Sequence, residues 1–180
     1  MKKIETDKNG ELSTKDSNYF GGKFSIWEKV RKKGIGSPKI IYDSGIAEFD
    51  KLKRNVEGEI SFVNFELLKN GLILRLNLNQ RFSCVGIKLD ELIEINLVGY
   101  RVKIKRKKYG KMETKIVHRG ELEFVEINET AKFVVIVREF ESLRKYFEKE
   151  ELREKLRFSI STNPPEKDYG HLLEILGIFN

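Results

Sequence analysis

Cysteine, histidine and long apolar runs are all scarce in this chain, and each scarcity removes a class of function. The single cysteine, Cys84, excludes an internal disulfide and a thiolate metal cluster. The two histidines, His118 and His171, stand far apart, which strips support from zinc-enzyme and Ser-His-Asp chemistry; no metal and no other cofactor is expected. No stretch approaches the roughly 20 apolar residues that span a bilayer. The opening MKKIETDKNG has lysines with no apolar segment behind them, unlike a secretory leader. The expected location is the cytoplasm, with any membrane contact made peripherally.

What is present is charge and β grammar. The chain has 180 residues, enough for one domain with extra segments. Residues 1–18 are polar and aperiodic, and read as a flexible tail. Residues 19–58 read as an extension. Within it, Phe24, Trp27 and Val30 recur every three residues among lysines and arginines, and Gly34, Gly36 and Pro38 follow, which predicts a short basic amphipathic helix. A brief strand is expected at Lys39 to Asp43, and Gly45 to Glu57 is either a helical turn or a connection.

From Ile60 the pattern becomes short β-branched and aromatic runs between turn residues, seven in all. ISFVNFELL meets LILRLN across Lys69-Asn70-Gly71, an Asn-Gly signal for a type I′ hairpin. FSCVGIKL is the third. The fourth has apolar residues at Leu92, Ile93, Ile95 and Leu97, then at Tyr100, Val102 and Ile104; this change of phase predicts a bulge at Val98-Gly99. METKIV, ELEFVEI and KFVVIVRE complete the set. A helix beginning at Phe140 puts Phe140, Leu143 and Phe147 on one stripe, while Leu152 and Leu156 fall nearly opposite, so a break is expected between Glu148 and Glu151. RFSIS is a last short strand. Residues 162–180 form a C-terminal tail in which Pro164-Pro165 ends regular structure and HLLEILGIF predicts a small apolar helix.

Over roughly residues 59–161 this order resembles the pleckstrin-homology-like superfamily, in its bacterial or GRAM-like variety. FELLKNGLILRLN would be the first hairpin, CVGIKLDELIEINLV the third strand entering the fourth, and FVVIVREFESLRKYF the last strand entering the closing helix. The resemblance implies a mainly β fold, a seven-strand antiparallel barrel closed by the helix, and a noncatalytic module for lipid headgroups, peptides or proteins. The superfamily's inositide cradle lies between the first two strands. Here Lys69 and Arg75 flank a turn too tight to form one.

The basicity is local. Arg101, Lys103, Lys105, Arg106, Lys107, Lys108, Lys111, Lys115 and Arg119 are nine cations against Glu113 alone, a local charge of +8 in a chain of net +7, so the remainder carries −1. Arg101, Lys103 and Lys105 alternate with Val102 and Ile104, which predicts a charged and an apolar face. Three readings stay open for this hairpin: lysines that blunt a sheet edge, contact with an anionic membrane or acidic protein, and nucleic-acid binding. Only Tyr100 and Tyr109 are there to stack on bases. The Trp27 helix is likewise divided between an apolar stripe packed on the sheet, the commoner arrangement, and an interfacial element flanked by Lys23, Lys29, Arg31, Lys32 and Lys33. His118 has no partner at a suggestive spacing, the glutamates of 141–154 interleave with cations as a helix surface does, and the glycine pairs lack a phosphate-loop pattern. The expected function is a noncatalytic binding or scaffolding module that meets an anionic membrane surface or acidic partner through the basic hairpin. The alternatives are a nucleic-acid binder and an enzyme of unrecognised type.

Overall fold

Alternating apolar residues from Ile40 to Val135 build a single mixed sheet, and a computed structural model describes it over residues 1–7, 10–54, 60–78, 81–108, 111–126, 130–135 and 137–162. In chain order the elements are β1 (Lys2–Ile4), α1 (Thr14–Tyr19), α2 (Ile26–Arg31), β2 (Ile40–Ser44), α3 (Ala47–Arg54), β3 (Phe62–Leu68), β4 (Gly71–Leu78), β5 (Arg81–Lys88), β6 (Leu92–Lys108), β7 (Lys111–Glu126), β8 (Thr130–Val135), α4 (Val137–Phe147), a short 3-10 turn and β9 (Leu156–Ser161). The strand order is β1-β5-β4-β3-β2-β8-β7-β6-β9. Among the described strands only β6 and β9 pair in parallel. The fold is mainly β as expected, but the sheet is open and nine-stranded where a closed seven-strand barrel was expected, with β1 and β9 at its edges. No helix among the described residues is long and apolar enough to cross a membrane.

Several expectations change with the register. METKIV and ELEFVEI are one strand, because β7 runs unbroken through Arg119 and Gly120. The strand at 40–44, read as part of an extension, sits between β3 and β8 and joins the two meanders. The register from Leu97↔Leu122 to Tyr100↔Arg119 has no shift at Gly99; the irregularity lies between Leu92 and Glu94, where Ile93 turns outward. Gly99 and Gly120 face each other for a packing reason. A Cβ on Gly99 would stand 2.5 Å from the Phe140 ring, and one on Gly120 would stand 2.8 Å from it. The glycine pair is thus the socket in which α4 seats its first aromatic.

The segment 1–18 is not a free tail. β1 pairs with β5, and α1 is capped by the Ser13 hydroxyl, which accepts from the Asp16 N–H at 3.0 Å. Ile4, Leu12 and Phe20 cover the outer face of the β3–β5 meander together with Leu68, Ile73 and Cys84. Phe20 lies over Gly71 and Gly86, and a Cβ on Gly71 would fall 2.6 Å from it. The Lys69-Asn70 hairpin forms as expected, but with Leu68 paired to Gly71 its central residues are Lys69 and Asn70, neither has positive φ, and the turn is not type I′. Gly71 is needed for the ring above it.

The main core fills the other face. Phe65, Phe124, Phe133 and Phe147 cluster with centroids 5.0 to 5.7 Å apart. Phe140, Leu143 and Phe147 are buried as the stripe predicts, and α4 ends at Phe147, so the expected break falls at Glu148 to Glu151. Beyond a turn, Leu152 is buried and β9 follows. The tail helix expected at Leu172 to Phe179, together with His171, lies outside the described residues.

Candidate functional site

Three basic segments leave the sheet from one end. β8 pairs Val135 with Gly120, where β7 loses its second neighbour on the way to the hairpin. β2 pairs Ile41 with Val134 and Ile40 with Val63. β3 runs on from there to Glu66, which bridges to Gly36 in the segment that follows α2. α4 starts directly after β8, so the hairpin, α2 and α4 share that end.

The hairpin is described by its backbone. β6 and β7 pair as far as Lys108↔Lys111, whereas β9 reaches only Tyr100 and β8 only Gly120. Among the described residues, 101–108 and 111–119 therefore form a two-stranded ribbon without flanking strands. Opposed positions include Arg101↔His118, Ile104↔Lys115 and Arg106↔Glu113. The ribbon brings all nine candidate cations, Arg101 through Arg119, onto one projecting element. The expected division into a charged and an apolar face concerns side chains outside the described part.

α2 is a helix that buries nothing. Its start is well made: the Glu28 N–H donates to the Ser25 hydroxyl at 3.3 Å and the Ser25 N–H donates to the Glu28 carboxylate at 2.7 Å, a reciprocal capping box. That N–H is the main reason the Glu28 carboxyl titrates below its usual range. Its end is a Schellman motif, with the Gly34 N–H on the Lys29 carbonyl at 2.9 Å and the Lys33 N–H on the Val30 carbonyl at 3.0 Å. Lys33 takes the left-handed position at φ 54°, where glycine is usual. Yet the apolar residues are open to solvent: Ile26 at 77%, Trp27 at 83% and Val30 at 66% of full exposure. The expected stripe packed on the sheet is therefore not found. Phe24, one residue before the cap, is buried in the core, with the Lys32 ammonium 4.9 Å from its ring centre. Positions 26, 27 and 30 span about 100° of a helix, so the three form one apolar face.

Behind this face, the end of α2 and the end of α4 enclose a cleft of about 490 Å³. Arg31, Lys32 and Lys33 line one side; Ser142, Lys145 and Lys149 line the other. Lys32 is ion-paired with Glu151, and the Lys149 ammonium donates to the Lys32 carbonyl at 2.9 Å. Burial holds the Lys149 pKa below the usual lysine range, Lys32 and Lys33 push it the same way, and Glu151 opposes them. Tyr146 donates to the Ile35 carbonyl at 3.1 Å and ties α4 to this segment, its pKa raised by burial.

The remaining candidates serve structure. Arg75 holds Glu66 at 2.6 Å and also reaches the Gly10 carbonyl, so it clasps the N-terminal segment and is not free for a cradle. Lys69 and Asn70 donate their N–H groups to Gly22 and Phe20, which closes the turn against ligands. Sequence reasoning missed the cleft because its two walls lie more than a hundred residues apart; the one local signal was the Arg31-Lys32-Lys33 run before Gly34.

Comparison with protein-family models, with curated proteins and with solved structures finds no match.

Proposed function

We propose that this chain is a noncatalytic docking module for an anionic membrane surface. The observation that carries the reading is α2: a helix capped at both ends, presenting Ile26, Trp27 and Val30 to solvent with Lys29, Arg31 and Lys33 beside them. An apolar face rimmed by cations suits a bilayer interface, where the ring enters the headgroup region and the cations meet lipid phosphates. The ribbon of nine cations leaves the same end of the sheet and supplies longer-range attraction, each lysine or arginine near such a surface contributing up to about 1 kcal/mol. Duplex nucleic acid would use the ribbon but has no use for the exposed aliphatic side chains of Ile26 and Val30, and a single strand would find in Trp27 one stacking ring where such platforms use several. The resemblance to the pleckstrin-homology-like superfamily belongs to the same proposal. It rests on the antiparallel strands β3 to β8 followed directly by α4, six strands over the stretch in which seven were expected, with β2 supplied from outside it.

Sedimentation with vesicles of phosphatidylcholine and phosphatidylserine tests this. Binding should rise with phosphatidylserine and fall as the Debye length shrinks from about 30 Å at 0.01 M salt to about 8 Å at 0.15 M. Charge reversal at Lys103, Lys105 and Lys107 should weaken it strongly. Duplex DNA and an acidic peptide run in parallel separate the alternatives: retention of either, with no vesicle binding at low salt, would replace the membrane reading.

A further inference from the structure

Five cations, Arg31, Lys32, Lys33, Lys145 and Lys149, line the cleft between α2 and α4 against one carboxylate, Glu148. Basic residues at a helix C-terminus complement the backbone dipole, and this accounts for Arg31 and Lys145, in or next to the last turns. It does not account for Lys33, which lies beyond α2 in a left-handed conformation that glycine would hold without cost. Lys149, beyond the end of α4, has a structural contact in the Lys32 carbonyl and is drawn part-way out of water beside two other lysines. Of the nearby acids, Glu151 pairs with Lys32, while Glu148, itself a lining residue, stands 3.7 Å from Arg144 and offsets one of the cleft's positive charges.

We propose that this cleft binds a phosphate monoester. Such a group carries close to two negative charges and three acceptor oxygens at neutral pH, whereas a carboxylate or a phosphodiester brings one charge. Arg31 and the ammonium groups of Lys33, Lys145 and Lys149 would share the charge, and the Ser142 hydroxyl can donate to a remaining oxygen. The anion would also offset the burial and the two lysine neighbours that lower the Lys149 pKa. The monoester has two possible sources: a phospholipid whose headgroup ends in one, or a free small phosphate ester. For the lipid source the inference rests on the docking reading; for the free ester it stands alone.

Two arms distinguish the sources. In the first, glycerol phosphate is titrated into the ¹⁵N-labelled protein, and the amides of Gly36 and Ser142, which line the cleft, are followed. In the second, vesicles containing phosphatidic acid are compared with phosphatidylserine vesicles of equal surface charge. The control is Arg31→Gln with Lys145→Gln, both exposed side chains whose removal spares the fold. Saturable amide shifts that weaken about tenfold in the double variant support the site with a soluble ligand. A preference for phosphatidic acid that the variant abolishes, with phosphatidylserine binding retained, supports the lipid source. Lys33→Gly adds a readout that a structural role would not move: the denaturation midpoint should rise while phosphate affinity falls. Neither shifts nor preference in the wild type, or either one surviving in the double variant, overturns the cleft. Loss of all vesicle binding with the amide shifts intact overturns the docking reading instead.

Discussion

Replacing Trp27 by alanine should separate the two roles an apolar side chain can have. A tryptophan buries up to about 250 Å². At 83% exposure, some 200 Å² of it is in water. At about 25 cal/mol per Å² its full transfer to hydrocarbon would be worth about 5 kcal/mol. An interfacial helix sinks only into the headgroup and upper acyl region, so roughly half of that, less what alanine keeps, gives about 2 kcal/mol, a thirtyfold loss of vesicle affinity. The fold should not notice: a side chain with so little contact costs less than about 0.5 kcal/mol of stability when removed. Both quantities are measurable on one variant, the first by sedimentation and the second by urea denaturation at unchanged m-value. Because Trp27 is the only tryptophan, its emission in the wild type reports its environment directly, and should shift to the blue and be quenched by brominated acyl chains on vesicle binding. A Trp27→Ala variant that binds vesicles as the wild type does, or one that loses more than about 1 kcal/mol of stability, would refute the reasoning.

Phe147→Ala should cost about 3 to 5 kcal/mol by urea denaturation, because its buried ring contacts those of Phe65 and Phe124, each with centroids 5.7 Å away. Gly99→Ala should cost about 1 to 3 kcal/mol by displacing Phe140, and the loss should shrink in a Phe140→Leu background if the ring is the obstacle. Cys84, buried beneath the N-terminal segment, should resist a thiol reagent, and Phe20→Ala should accelerate labelling by loosening that cover. Burial raises the pKa of Cys84, so its contribution to stability is full below the ordinary thiol value of about 8.5 and is lost as pH rises through the folded value. Cys84→Val should flatten that alkaline limb in pH-dependent denaturation.

The legible parts of this chain were those in which one period governs a continuous stretch. β3 to β5, the α4 stripe and its end near Phe147 all follow from alternation or helical spacing over seven or more residues. The N-terminal cover was not legible because Ile4, Leu12 and Phe20 are eight residues apart and belong to a strand end, a loop and a helix cap respectively. Each makes its contact singly, so no local window contains the pattern. The sheet's closure failed as an expectation for a related reason. Pairing of β1 with β5 and of β9 with β6 is decided by partners more than sixty residues away, and only the register reveals it.

Glycine and tryptophan carried the two most instructive departures, and their physics is complementary. Gly71, Gly86, Gly99 and Gly120 suggest turns or bulges when the backbone alone is considered, yet all four lie within strands, and each lacks a Cβ where the ring of Phe20 or Phe140 rests. A strand glycine can mark close approach as readily as a bend, and an aromatic elsewhere in the chain decides which. For α2, helical spacing identified an apolar face but could not identify what covers it. In α4 the sheet covers the face. At α2 the neighbouring core is already closed by Phe24 and Tyr146, both buried, so no socket is left for Trp27. A helix that gains nothing from burial is held instead by its capping box, its Schellman turn and the Lys149 contact to the Lys32 carbonyl. Those contacts fix the orientation of three apolar side chains toward solvent and of three consecutive cations toward a cleft. An arrangement maintained by its ends rather than by its apolar face is what a docking element requires, since that face must stay free until the partner surface arrives.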